Sequence, residues 1–284
     1  MHDLRRERQF RAPADGGEIG GLRREGPDDT QPALLMHGGP GLSDYLEPLA
    51  DELDGLFPMA RYQQRGISPS VETGGRDIET HVNDALAVLD ALGWEKAIVI
   101  GHSWGGHLAM HFAVAHPERL AAFVSIDPLG AVGDGGLAEF VARLSQEVPA
   151  DDRPRYDELQ ALDTLTEAQR DESFRMVWPY YFADPSKAPP FPGFAYDMRS
   201  SATWDSINEH FEKRTLELGL LTVDVPFLLI HGEASPLPIA EARRTVALVS
   251  GGRLVAVPDQ GHWPWLERPG VVRAELEGFL GEVG

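Results

Sequence analysis

The feature that most constrains this chain is the pentapeptide Gly101-His102-Ser103-Trp104-Gly105, set directly behind the apolar run of residues 97–100. A short β-rich run that ends in G-x-S-x-G reads as a strand turning sharply into a helix. Glycine is required on both sides of such a turn, because neighbouring chain packs close to its backbone. The serine is left strained and exposed at the carboxyl end of the strand, where open α/β sheets place their chemistry. Gly106 and the apolar set Leu108, Ala109, Met110, Phe112 and Ala113 follow, which suits a buried helix. Ser103 is therefore the candidate nucleophile.

The rest of the chain repeats this alternation. Short apolar runs at 33–36, 57–62, 120–126, 225–230 and 254–257 predict further strands. Residues 78–92 carry Val82, Leu86, Val88, Leu89 and Leu92 at helical spacing and are closed by Gly93. Strands alternating with helices predict an α/β fold whose mostly parallel central sheet is covered on both faces. Between residues 129 and 221 the alternation lapses. A helical stretch at 137–144 gives way to a polar segment, then to Trp178-Pro179-Tyr180-Tyr181-Phe182 and a turn-rich stretch at 185–192. This is too long for a connection within a compact sheet. The expected organisation is a core from residues 1–128 and 222–284, with a helical lid inserted at 129–221. The 284 residues suit one such domain.

Composition removes several classes of chemistry. The chain has no cysteine, which excludes disulfides, thiolate nucleophiles and cysteine metal sites. The opening residues 1–8 are charged and have no apolar core behind them, so they do not read as a secretory signal. No apolar run approaches membrane-spanning length. The expectation is a cytoplasmic protein with no membrane partner. A formal net charge of −20 argues against nucleic acid as a partner. The same charge disfavours strongly anionic substrates unless a local pocket overrides the global field. Phosphoryl transfer is unsupported, because there is no glycine-rich phosphate loop with a lysine. Neither a cofactor nor a metal is expected.

A serine hydroxyl is a weak nucleophile until a base takes its proton. The base is most often a histidine oriented by a carboxylate. Of the ten histidines, His262 lies in the loop after the last predicted strand, within Gly261-His262-Trp263-Pro264, and is the candidate base. His102 reads as a packing residue under the turn, and His107 as part of the helix behind it. Charge developing on a carbonyl oxygen needs aimed N–H donors. One is expected from the backbone of Trp104. The other is expected from His37-Gly38-Gly39-Pro40-Gly41, where Pro40 has no N–H to give and Gly39 is preferred over Gly38.

Taken together, these motifs resemble the α/β-hydrolase superfamily over essentially the whole chain. His37-Gly38-Gly39-Pro40-Gly41, Gln64-Arg65-Gly66 and the Ser103 motif with Gly106 are similar to the proline iminopeptidase branch. That branch usually carries Asp-Gln-Arg-Gly, whereas this chain has Gln63 in the aspartate position. The resemblance implies a triad acid after the strand ending Leu229-Ile230-His231-Gly232, in the pattern His-Gly-x-x-Asp. Here Ser235 stands in place of that aspartate. Serine cannot supply the charge that stabilises an imidazolium. Haloalkane dehalogenases and zearalenone-type lactonases carry the acid after the preceding strand, which points to Asp127. Asp259 and Glu233 are the alternatives.

The iminopeptidase resemblance also implies acidic residues that hold a substrate amine. Glu209 occupies a suitable lid position, but Pro236 stands where a second glutamate is expected. The lid aromatics Trp178, Tyr181 and Phe182 are expected to line an apolar substrate pocket. The resulting reading is a metal-free serine hydrolase acting on a carboxylic ester or lactone of a small apolar molecule. The alternatives are an aminopeptidase for N-terminal proline and a weakly catalytic receptor that uses the same pocket. The oligomeric state is left open.

Overall fold

A computed structural model describes residues 7–283. Residues 1–6, which carry most of the charged opening, lie outside the described residues. Eight strands form one sheet: β1 (Glu7–Ala14), β2 (Gly17–Arg24), β3 (Ala33–Met36), β4 (Met59–Tyr62), β5 (Ala97–His102), β6 (Leu120–Ile126), β7 (Phe227–Gly232) and β8 (Arg253–Val257). Their order is β1-β2-β4-β3-β5-β6-β7-β8. The pairs β1–β2 and β2–β4 are antiparallel, and every other pair is parallel.

The central parallel strands β3, β5, β6 and β7 are buried and mostly apolar because both faces of the sheet are covered there. Their side chains alternate between two cores. Leu34, Met36, Val99, Phe123 and Leu229 face a core with α2 (Ile78–Leu92) and α3 (Trp104–Ala115). Leu35, Ile98, Ile100, Val124, Leu228 and Ile230 face a second core with α1 (Glu47–Glu52) and α11 (Val271–Val283). Helix α2 begins and ends where its sequence pattern does. Asp77 caps it by accepting the Thr80 N–H, and Gly93 ends it with a left-handed φ of 69°.

Strands β1 and β2 have no counterpart in the sequence reading. They are polar and partly exposed on one side of the sheet, and β2 is glycine-rich, so they lack the apolar run that reveals a buried strand.

Between β6 and β7 lie α4 (Leu137–Glu147), α5 (Arg153–Gln160), α6 (Glu167–Val177), two short 3-10 turns, α7 (Ser201–Lys213) and α8 (Thr215–Leu220). Helix α8 packs on α3, and α4 packs on α6 and the turn Trp178–Tyr181. Two helices, α9 (Ile239–Val246) and α10 (Pro264–Glu267), complete the set. No helix among the described residues is long and apolar enough to cross a membrane.

Candidate active site

Strand β5 delivers Ser103 into a backbone conformation that side chains rarely adopt, with φ 56° and ψ −123°. Such strain costs about 1–3 kcal/mol and persists only where the surroundings enforce it. Here the Ser103 N–H donates to the Ile126 carbonyl at 3.0 Å, and the Ser103 carbonyl accepts from Gly106 at 3.0 Å. The flanking glycines have no alternative. A Cβ at Gly101 would lie 2.0 Å from the Gly105 carbonyl oxygen, and one at Gly105 would lie 2.1 Å from that of Met36. The Ser103 hydroxyl makes no hydrogen bond among the described residues.

Asp127 is the first residue beyond β6 and is fully buried. Its Oδ1 accepts from His262 Nδ1 at 2.9 Å and from the Ser235 hydroxyl at 2.5 Å, and its Oδ2 accepts the Gly232 N–H at 2.8 Å. Ser235, which stands where the family pattern has an aspartate, is thus a hydrogen-bond donor to Asp127. Burial by itself would raise the Asp127 carboxyl. Nearby His231, His262 and the Ser235 hydroxyl outweigh burial and hold it below its usual value. With Nδ1–H given to the carboxylate, the Nε2 of His262 is left as an acceptor. Glu233 and Asp259 are both exposed, and neither carboxylate bonds to His262.

A chain of buried and half-buried hydrogen bonds ties the loops of the site together. The Gly38 N–H donates to the Tyr45 hydroxyl at 2.8 Å. That hydroxyl lies 2.7 Å from His102 Nδ1, and His102 Nε2 lies 2.8 Å from the His262 carbonyl oxygen. The carbonyl can only accept, so His102 carries its proton on Nε2 and takes the Tyr45 hydroxyl on Nδ1. Burial, reinforced by His262, pushes the His102 pKa well down and keeps the ring neutral. His102 therefore does more than pack under the turn. It also fixes the backbone of His262.

The same chain separates the two candidate amides. Gly38 is occupied by Tyr45, whereas the Gly39 N–H has no partner among the described residues. Gln64 clamps the opposite side, donating to the His37 carbonyl at 2.6 Å and accepting the Trp104 indole N–H at 2.9 Å. Glu267, which the sequence reading missed, accepts the N–H groups of Gly261 at 2.7 Å and Ala183 at 2.9 Å. It thereby pins the His262 loop to the segment that follows Tyr181.

Ser103, His262, Gly39 and Trp104 line one cavity of about 210 Å³. A second, outer chamber of about 330 Å³ shares Gly39, Leu42, Phe140, Val141, Phe174 and Tyr181 with it. Tyr181 lines both. Trp178 and Phe182 line neither. They lie in the aromatic layer behind, their rings 5.0 Å apart, with the Trp178 indole N–H donating to the Pro189 carbonyl at 2.7 Å. Glu209 is also away from the cavity. Its exposed side chain pairs with Lys213 on the outside of α7 and faces a separate groove. Phe140, Val141 and Phe174, which the sequence reading did not single out, supply the wall instead.

Residues 32–269 match the family described as the alpha/beta hydrolase fold. The chain belongs to this family. The α/β-hydrolase chain is 26% identical over 273 residues to a non-heme chloroperoxidase of Burkholderia pyrrocinia, a match covering 90% of this chain and 93% of that protein. It is 35% identical over 117 residues to the putative carbamate hydrolase RutD of Caulobacter vibrioides, covering 39% of this chain and only 44% of that protein. Among solved structures it is similar to a proline iminopeptidase of Mycobacterium smegmatis, with a TM-score of 0.70 and 21% identity. That likeness covers 97% of this chain and 98% of the iminopeptidase, and it is a likeness of fold.

Proposed function

We propose that this α/β-hydrolase is a serine hydrolase that cleaves a carboxylic ester or lactone of an apolar small molecule through an acyl-enzyme. The observation that carries the reading is the Asp127–His262 hydrogen bond of 2.9 Å behind a cavity that Ser103 also lines. Ser103 Oγ attacks the carbonyl carbon as His262 Nε2 takes its proton. The oxyanion is held by the N–H groups of Gly39 and Trp104, a single such donor contributing about 3–4 kcal/mol. His262 returns the proton to the leaving alcohol, and water then cleaves the acyl-enzyme by the same steps in reverse. Asp127 stays ionised throughout and stabilises the imidazolium. The helices of residues 129–221 act as a lid that supplies the apolar wall.

An aminopeptidase for N-terminal proline would need a carboxylate beside the substrate amine. No aspartate or glutamate among the described residues lines either chamber, which favours the ester or lactone reading.

The test is hydrolysis of p-nitrophenyl acetate by the wild type and Asp127→Asn, with circular dichroism confirming that both are folded. The expected loss is about ten-thousand-fold in kcat, the scale seen when a triad acid is made neutral. Equal turnover would remove Asp127 from the mechanism. A wild type that neither turns over nor is labelled at Ser103 by a fluorophosphonate would leave only a binding pocket.

A further inference from the structure

The chain carries 45 aspartates and glutamates, yet the two chambers exclude all of those described. The one permanently charged side chain lining the outer chamber is Arg170, on α6. Its guanidinium makes one hydrogen bond, from Nη1 to the Ser200 hydroxyl at 3.2 Å, and no ion pair among the described residues. The carboxylates next to it in sequence are occupied elsewhere. Asp171 pairs with Arg175 at 2.7 Å and accepts the Tyr196 hydroxyl at 3.3 Å, and Glu172 pairs with Arg155 at 2.8 Å. Other polar groups of the chamber satisfy their neighbours. Gln160 donates to the Ser173 hydroxyl at 3.0 Å, and the Tyr156 hydroxyl meets that of Ser145 at 3.2 Å. Arg170 lines the chamber with the rest of its guanidinium donors unpaired among the described residues.

A half-buried guanidinium without a counter-charge is costly unless something pairs with it. A carboxylate fits the guanidinium fork with two parallel hydrogen bonds. The need for a dedicated cation follows from the net charge of −20, which repels anions from the surface as a whole. Within a chamber partly walled by Phe140, Leu144, Phe174 and Tyr181, one cation set beside apolar side chains acts more strongly at short range than it would in bulk water.

We infer that Arg170 anchors a carboxylate at the far end of the substrate. The substrate is then an ester or lactone with an apolar body, its reacting carbonyl at Ser103 and its anionic head in the outer chamber. This inference rests on the hydrolase reading above.

The experiment uses two probe sets, because either side of the ester could enter the outer chamber. The first is p-nitrophenyl hydrogen adipate, suberate and sebacate, each against its methyl-capped neutral diester. The second is butanoyl esters of ω-hydroxyalkanoic acids against their methyl esters, followed by pH-stat. In at least one set the wild type should favour the carboxylate by about tenfold or more in kcat/KM, the scale of one charge-assisted contact. Arg170→Gln should bring that ratio to about one while leaving neutral-ester rates unchanged, and Arg170→Lys should keep part of it.

Binding of monomethyl suberate to Ser103→Ala, with and without Arg170→Gln, reads the anchor without catalysis. An anchor should show as about a tenfold weaker Kd in the double variant. Loss of that affinity with no ester hydrolysed by any form would keep the anchor and overturn the hydrolase reading. Hydrolysis with no charge preference in either set, and a Kd unmoved by Arg170→Gln, would overturn the anchor and leave the hydrolase reading standing. In that case the Arg170 stem would serve only to cover apolar surface.

Discussion

The two walls of the cavity at Ser103 are held by different forces. The wall built from the strand ends rests on hydrogen bonds and on backbone contacts that admit no Cβ. Gly101 meets Gly105, Gly105 meets Met36, and the Asp127 carboxylate is cradled by Gly232, Ser235 and His262. The wall built from α4, α6 and the turn after α6 rests on rings meeting edge to face or stacked. Phe174 packs on Tyr181, Phe191 and Phe194 at centroid distances of 5.4–5.7 Å. Its outer surface carries exposed pairs such as Arg155–Glu172, which contribute little to stability. Directional contacts fix one geometry, whereas ring contacts allow several of similar energy. The first wall should therefore set the rate for every substrate, and the second should set which substrate fits.

The largest effect that sharpens this contrast, below the loss expected for Asp127→Asn, is that of Tyr45→Phe. The variant leaves the Gly38 N–H without its acceptor and His102 Nδ1 without its donor, both at buried positions. An unsatisfied buried group costs about 1–3 kcal/mol. Because the chain runs on to the His262 carbonyl, the cost should fall on kcat, by about tenfold to a hundredfold. Steady-state kinetics on p-nitrophenyl acetate would separate kcat from KM. A change confined to KM would mean that Tyr45 serves only as cavity lining, and the contrast between the walls would fail there.

Phe140→Ala probes the other wall at a smaller scale. Phe140 lines both chambers and meets Tyr181 at 5.7 Å and His262 at 6.1 Å between ring centroids. Its removal enlarges the space without disturbing the Asp127–His262 bond. The ratio of kcat/KM for p-nitrophenyl decanoate over acetate should shift by about fivefold to tenfold, a typical worth of small shape changes in apolar pockets. The kcat on acetate should stay within about twofold of wild type. An equal fall for both esters would show that this ring also positions His262.

The same division governs what the sequence reveals. Ser103 is legible because strand, glycine turn and helix are contiguous, and each has a local pattern. Asp127 is legible by chemical need, since Ser235 cannot supply a charge and Asp127 ends the adjacent strand. Tyr45, Gln64 and Glu267 are not legible as positioning residues. Tyr45 meets Gly38 and His102, Gln64 meets His37 and Trp104, and Glu267 meets Gly261 and Ala183, and no spacing rule marks such contacts. The strands β1 and β2 escape notice because they are polar and partly exposed. In residues 129–221 only the helical stretch at 137–144 is recognisable as an element, and which ring faces the cavity depends on how the helices pack. Trp178 and Phe182 fall one layer too deep, and Phe140 and Phe174 take the positions expected for them. Arg170 has no local signature either, because its lack of a carboxylate partner is a property of the folded neighbourhood.

Glu209 is the smallest effect and the sharpest control. It lies four residues before Lys213 on α7 and pairs with it across an exposed surface. The lysine, through its hydrogen bond and its charge, holds the Glu209 carboxyl below its usual value, and solvent screens such a pair strongly. Glu209→Gln should leave kcat/KM unchanged on aryl esters and produce no detectable shift in Tm. The informative comparison is with a proline arylamide. Were Glu209 an amine anchor, any turnover of that amide by the wild type would fall with the substitution, while the esters would be unaffected. A position outside both chambers predicts the same ratio of arylamide to ester rates in the two proteins. A selective loss on the amide would require α7 to turn its polar face toward Ser103 when substrate binds. The helical wall would then rearrange, beyond choosing among substrates that fit its resting shape.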